Sequence, residues 1–120
     1  MGYHIICVGL GGAIGALLRV GMSSLLTTFG RASHWGTLGV NLLGCFLIGL
    51  SWGLFEHYKV HHLVRLFIMT GCLGAFTTFS TFGLESLQLI AAGRFKVGVT
   101  YMILSNAIGL LLVTITRSRY

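Results

Sequence analysis

Apolar residues fall into four long runs, at about residues 3–26, 37–55, 63–92 and 97–115, separated by short polar breaks. A helix rising 1.5 Å per residue needs about 20 residues to cross a hydrocarbon core some 30 Å thick. All four runs are long enough. The third is too long for one straight crossing, which fits a tilted or broken helix. The connections, only about 4 to 11 residues each, leave no place for a soluble domain. The pattern predicts a single all-α membrane domain of four spans over residues 1–120.

Polar positions within the third run change this picture most. Gly71-Cys72-Leu73-Gly74-Ala75-Phe76-Thr77-Thr78-Phe79-Ser80-Thr81-Phe82 places two glycines, three threonines and a serine inside an apolar segment. At membrane depth a helix is interrupted only where the freed backbone groups meet protein, an ion or a water-filled cavity. This cluster is therefore a candidate ion site.

Composition agrees with the membrane reading. Of 120 residues, 55% are hydrophobic and 8% charged, and none is proline; soluble domains carry about 25% charged residues. No Lys or Arg precedes Arg19, so the first run lacks the charged start of a signal peptide and reads as a retained span. Cys7, Cys45 and Cys72 sit singly among apolar residues and read as small buried hydrophobes. The net charge of +6 forms no basic stripe of the kind that binds nucleic acid. It does bear on topology: Lys59, Arg65, Arg117 and Arg119 fall on one side of the membrane, and Arg31, Arg94 and Lys96 on the other. So small a bias fits insertion in both orientations, and two opposed copies would then pair about an axis in the membrane plane.

Close-packing pairs recur among the 18 glycines: Gly11 with Gly15, Gly49 with Gly53, Gly12 with Ala16 and Gly71 with Ala75. Such pairs let helices approach closely in lipid, within one subunit or between two. Arg19 lies deep in the first run and reads as a structural support that snorkels or donates to helix-end carbonyls. Asn41 can donate to an anion or bond a neighbouring helix. Glu85, the one acidic residue well inside a span, reads as a proton relay or cation site or, three residues past Phe82 towards a span end, as solvated. Phe79 and Phe82 share a helix face at i, i+3, and Tyr101 and Ser105 share one at i, i+4. Ser80 and Thr81 add hydroxyls. Aromatic ring edges are electropositive, and together with amide and hydroxyl donors they suit a small anion without naming it; core packing is the competing reading for the phenylalanines. His4, His34, His57, His61 and His62 lie at span ends or in loops. No catalytic constellation is visible.

The segment Gly74 to Phe82 resembles the third-helix motif of the Fluc (CrcB) fluoride channels. Gly11-Gly12-Ala13-Ile14-Gly15-Ala16-Leu17-Leu18-Arg19 is similar to their first-helix motif, and Gly36-Thr37-Leu38-Gly39-Val40-Asn41-Leu42-Leu43-Gly44-Cys45-Phe46 to their second. The resemblance spans the whole chain. It implies a passive channel exporting cytoplasmic fluoride, in the bacterial inner membrane, built as an antiparallel dual-topology homodimer with a third helix broken at mid-membrane. Phe79, Phe82 and Asn41 would line the pores, with Ser80 and Thr81 beside them and Tyr101 and Ser105 from the fourth helix. Backbone carbonyls of Gly74 and Thr77 would hold a structural sodium ion at the dimer axis. If the break needs a positive φ at Gly74, a β-branched residue there is strained. The runner-up is a small multidrug, proton-coupled transporter, which needs a membrane carboxylate; no acidic residue precedes Glu56. A non-transporting subunit of a larger complex would not need the polar cluster.

Overall fold

The computed structural model describes residues 2–30 and 33–118. Arg31 and Arg119 of the charge comparison lie outside them. Two long helices open the chain, α1 (Gly2–Gly30) and α2 (Ser33–Tyr58). A helical path follows through α3 (His62–Arg65), a π-helical stretch π1 (Leu66–Leu73) and α4 (Gly74–Phe76). After Thr77 and Thr78 come α5 (Phe79–Ala91) and α6 (Phe95–Ser118). No strand occurs among the described residues. Four stretches are long and apolar enough to cross a membrane: Gly2–Leu26, His34–Tyr58, His62–Ala91 and Phe95–Arg117.

Local chemistry sets the turns. Lys59 adopts φ 52° after α2, and the Val60 N–H bonds back to Phe55 O at 3.1 Å. His61 caps α3, its Nδ1 accepting from the Leu63 N–H. Arg65 then ties the turn together: it donates to Glu56 Oε1 at 2.7 Å, to Phe55 O at 2.8 Å and to Val60 O at 3.3 Å. At the far end, Gly93 supplies the left-handed residue (φ 81°) that lets the chain reverse between α5 and α6.

Helices α2 and α6 pack along each other, and α1 packs along π1. Glycine makes the second contact possible. A Cβ on Gly11 would overlap Phe67 O, and one on Gly15 would overlap Cys72 O, whereas one on Gly12 would meet nothing within 4 Å. Thus Gly11 and Gly15 serve packing within the chain. A π-helix has a wider turn than an α-helix and occurs mostly as short insertions, often at functional sites.

Few apolar side chains are buried: Phe82, Leu89 and Tyr101 form one cluster, with Leu38 and Val97 against it, and Val40, Leu73 and Phe76 are buried elsewhere. Large apolar side chains such as Leu17 and Leu110 point outward. Water would oppose that arrangement; lipid favours it. His4 meets His62 edge-on at 5.4 Å, and Arg117 lies 5.9 Å from the Trp52 ring. These contacts gather Lys59, Arg65 and Arg117 towards one end, with Arg94 and Lys96 at the other.

Candidate functional site

The site begins where the backbone leaves the helix. Thr77 (φ −85°, ψ 158°) and Thr78 (φ −145°, ψ 125°) are extended, between α4 and α5. Gly74 is not the irregular residue: its φ of −61° and ψ of −38° are ordinary right-handed helix, so the condition of a positive φ there is not met. Two threonines, whose branched Cβ favours extended backbone, carry the departure instead.

Several of the freed polar groups find partners. The Thr78 N–H, which would continue the helix to Gly74 O, donates to Asn41 Oδ1 at 2.8 Å. Asn41 Nδ2 returns a bond to Thr78 O at 3.0 Å. The Thr77 N–H and hydroxyl both donate to Leu73 O at 3.2 Å. The Thr78 hydroxyl caps α5 by accepting from the Thr81 N–H at 3.3 Å. One turn earlier, Arg19 Nε donates to Ala75 O at 3.1 Å. Two distant helices thus hold the segment in place, α1 through a guanidinium and α2 through an amide.

A cavity of about 330 Å³ opens beside this segment, lined among others by Asn41, Gly74, Thr77, Phe79, Phe82 and Ser105. The Phe79 and Phe82 rings lie 5.7 Å apart. Their surroundings differ sharply: Phe82 is 9% exposed and Phe79 is 81% exposed. Tyr101 does not line this cavity, but its ring meets Phe82 edge-on at 5.2 Å. Ser80 is exposed and lies outside the cavity lining. Thr81 faces a separate space of about 190 Å³, lined also by Arg19, Ser23, Thr37 and Thr78. The chain therefore brings Asn41, Phe79, Phe82 and Ser105 together, but not Ser80 and Thr81 with them.

Glu85 departs from expectation. It is buried, at 5% exposure, and neither carboxylate oxygen has a hydrogen-bond partner. The Tyr101 hydroxyl lies near Glu85 and Thr37 without a hydrogen bond of ordinary geometry. His34 is also buried and packs on Tyr101 at 5.4 Å. The sequence held a signal for this cluster: Phe82, Glu85, Ser86 and Leu89 repeat at i, i+3, i+4, i+7 and form the buried face of α5. Distance from a span end hides that; the helical face reveals it. Asn106, another residue of the 330 Å³ cavity, also escaped notice. Of the loop histidines, His61 serves as the cap of α3, and His57 stacks edge-on with Tyr58.

Four apolar helices around a polar segment within the third define a multi-pass membrane protein. The sequence pattern of the family described as CrcB-like protein, Camphor Resistance (CrcB), matches residues 6–117. A protein of Salinibacter ruber named Fluoride-specific ion channel FluC is 46% identical over 113 residues, covering 92% of this chain and 84% of its own. Relatives of the same name occur in Desulfotalea psychrophila, at 41% identity over 92% of this chain and 87% of its own, and in Chloroflexus aurantiacus, at 44% over 93% and 90%. The chain belongs to the CrcB family.

Proposed function

We propose that this chain is a passive fluoride-selective channel that lets fluoride leave the cytoplasm, working as an antiparallel homodimer of dual topology. The relatives' name gives the ion. The observation that carries the reading is the extended Thr77–Thr78 pair, fixed by Asn41 and opening onto a cavity edged by Phe79, Phe82 and Ser105. No acidic side chain lines that cavity. Its walls offer an amide, hydroxyls and ring edges, which are neutral donors able to replace an anion's water without binding it as tightly as a fixed charge would.

The dimer is supported by what one copy leaves open. Phe79 projects from the cavity edge almost fully exposed, and a second copy laid against this side would enclose it. On this reading Thr77 and Thr78 form a break at membrane depth, and Ser80 and Thr81 act beyond the cavity, on the approach to it.

A structural sodium ion fits the donor chemistry at the break. The N–H that would serve Gly74 O is turned to Asn41, and the Thr81 N–H that would serve Thr77 O bonds the Thr78 hydroxyl. The Gly74 and Thr77 carbonyls would hold the ion, and it would supply the positive charge that hard carbonyl oxygens need in a low-dielectric setting. Arg19, on Ala75 O, keeps the neighbouring turn in register.

The test is ion efflux from liposomes containing only this protein. Fluoride should leave rapidly and chloride should not, and replacing all sodium with a large organic cation should reduce the fluoride flux. Equal fluoride and chloride rates, or no flux, would overturn the channel reading. Undiminished flux without sodium would remove the ion alone.

A further inference from the structure

We infer that the groove between the start of α2 and the first turns of α6 is a binding site for an anionic phospholipid of the surrounding bilayer. The groove has a volume of about 210 Å³, and Leu38, Val97 and Leu104 are among its walls. Its lining shares no residue with that of the 330 Å³ cavity, although Tyr101, whose ring meets Phe82, is among its walls. From Lys96 to Leu104 it follows α6 for eight residues, roughly 12 Å at 1.5 Å per residue. That is a path from headgroup level into the hydrocarbon, shaped for the upper part of an acyl chain.

Charge at the mouth decides the kind of lipid. Lys96 lines the groove and is exposed, and it makes no ion pair; the one salt bridge among the described residues joins Arg65 to Glu56 at the opposite end. Arg94, two residues earlier, adds a second exposed cation, although the cavity it lines also contains Glu85. Trp35, half-exposed on the facing wall, is a residue type that settles at headgroup level. A phosphate with net negative charge complements this mouth. A zwitterionic headgroup brings its own cation against Lys96 and loses that advantage. Each basic residue near the surface of an anionic membrane contributes about 1 kcal/mol, so one lysine corresponds to roughly fivefold discrimination.

Native mass spectrometry of the detergent-extracted full chain, given equal phosphatidylglycerol and phosphatidylcholine, tests the assignment. One lipid per chain should be retained, with about fivefold preference for phosphatidylglycerol. Lys96→Gln should bring the ratio near parity. Leu104→Trp, which fills the groove, should abolish retention of both lipids, and Lys59→Gln, at the other end, should leave the ratio unchanged. Fluoride efflux of each variant from phosphatidylcholine liposomes reports folding separately from lipid preference. Equal retention of the two lipids by the unaltered protein, or an unchanged preference in Lys96→Gln, would overturn the proposal.

Discussion

The side chain of Asn41 and the backbone of Thr78 exchange two hydrogen bonds, Nδ2 to the carbonyl at 3.0 Å and N–H to Oδ1 at 2.8 Å. This is the pairing a neighbouring β-strand would offer, supplied by one amide from another helix. It uses one of the two N–H groups of Asn41 and leaves the other to the cavity. Asn41 is therefore a latch on the extended segment, whatever else its remaining N–H serves.

Asn41→Leu should leave both Thr78 groups unpaired at membrane depth. At about 1–3 kcal/mol for each unsatisfied group, thermal unfolding in detergent should shift strongly downward. Asn41→Asp keeps an acceptor for the N–H but sets an oxygen against Thr78 O. It should unfold nearer the unaltered protein while its fluoride flux falls at least about tenfold, which corresponds to 1.4 kcal/mol on the barrier. Normal flux in Asn41→Asp would show that the second bond is dispensable.

The two phenylalanines should separate in stability but not in flux. Phe82 is buried against Tyr101 at 5.2 Å, and an aromatic pair contributes about 1 kcal/mol beyond burial. Phe82→Ile should lower the unfolding temperature. Phe79 is exposed in one copy, so Phe79→Ile should leave the fold of the single chain intact. Both should cut fluoride efflux severely, since each removes an electropositive ring edge. Unimpaired efflux in both would return the pair to a packing role.

Glu85→Gln should raise stability and lower flux. A carboxylate at 5% exposure with no partner costs the fold roughly 1–3 kcal/mol for each unsatisfied polar group. Intramembrane ionisable residues are retained chiefly for function. The discriminating measurement is the two readouts together. A less stable variant with full flux would mean that Glu85 is structural.

Gly15→Ala and Gly12→Ala each add one methyl to α1, the first against π1 and the second into open space. The first should force α1 away from Cys72 O, at a cost of about 1–3 kcal/mol for overpacking, and should reduce flux by displacing π1. The second meets open space and should match the unaltered protein in unfolding temperature and efflux. Equal tolerance of both changes would show that the α1–π1 seam yields freely.

Topology offers the fifth test. The described cations divide as Lys59, Arg65 and Arg117 against Arg94 and Lys96. C-terminal reporter fusions should give signal on both sides of the membrane. Adding two or three lysines to the turn before Lys96 should bias insertion and reduce activity, and a copy biased the other way should restore it. A single orientation for the native sequence would refute the dual-topology dimer.

Some of this was fixed by the sequence alone. Helix type and number followed from apolar run lengths, because a bilayer leaves a chain of this composition almost no alternative to spanning helices. The polar segment from Gly71 to Phe82 and its partner Asn41 stood out for the same reason: hydroxyls and amides in lipid must be answered by protein. Spacing alone also placed Phe79 and Phe82 on one helix. Tertiary structure decided what each group meets. Only packing turned Asn41 towards Thr78 and Arg19 towards Ala75, across 37 and 56 residues of chain. It set the departure from the helix at Thr77 and Thr78 rather than at Gly74, and it assigned Gly11 and Gly15, but not Gly12, to the contact with π1. It also buried Glu85, which position along the span had placed in solvent. Periodicity and composition report how far each residue lies along a helix; which way it faces, and which carbonyl or ring it meets there, depends on the rotation and register of helices that are distant in sequence.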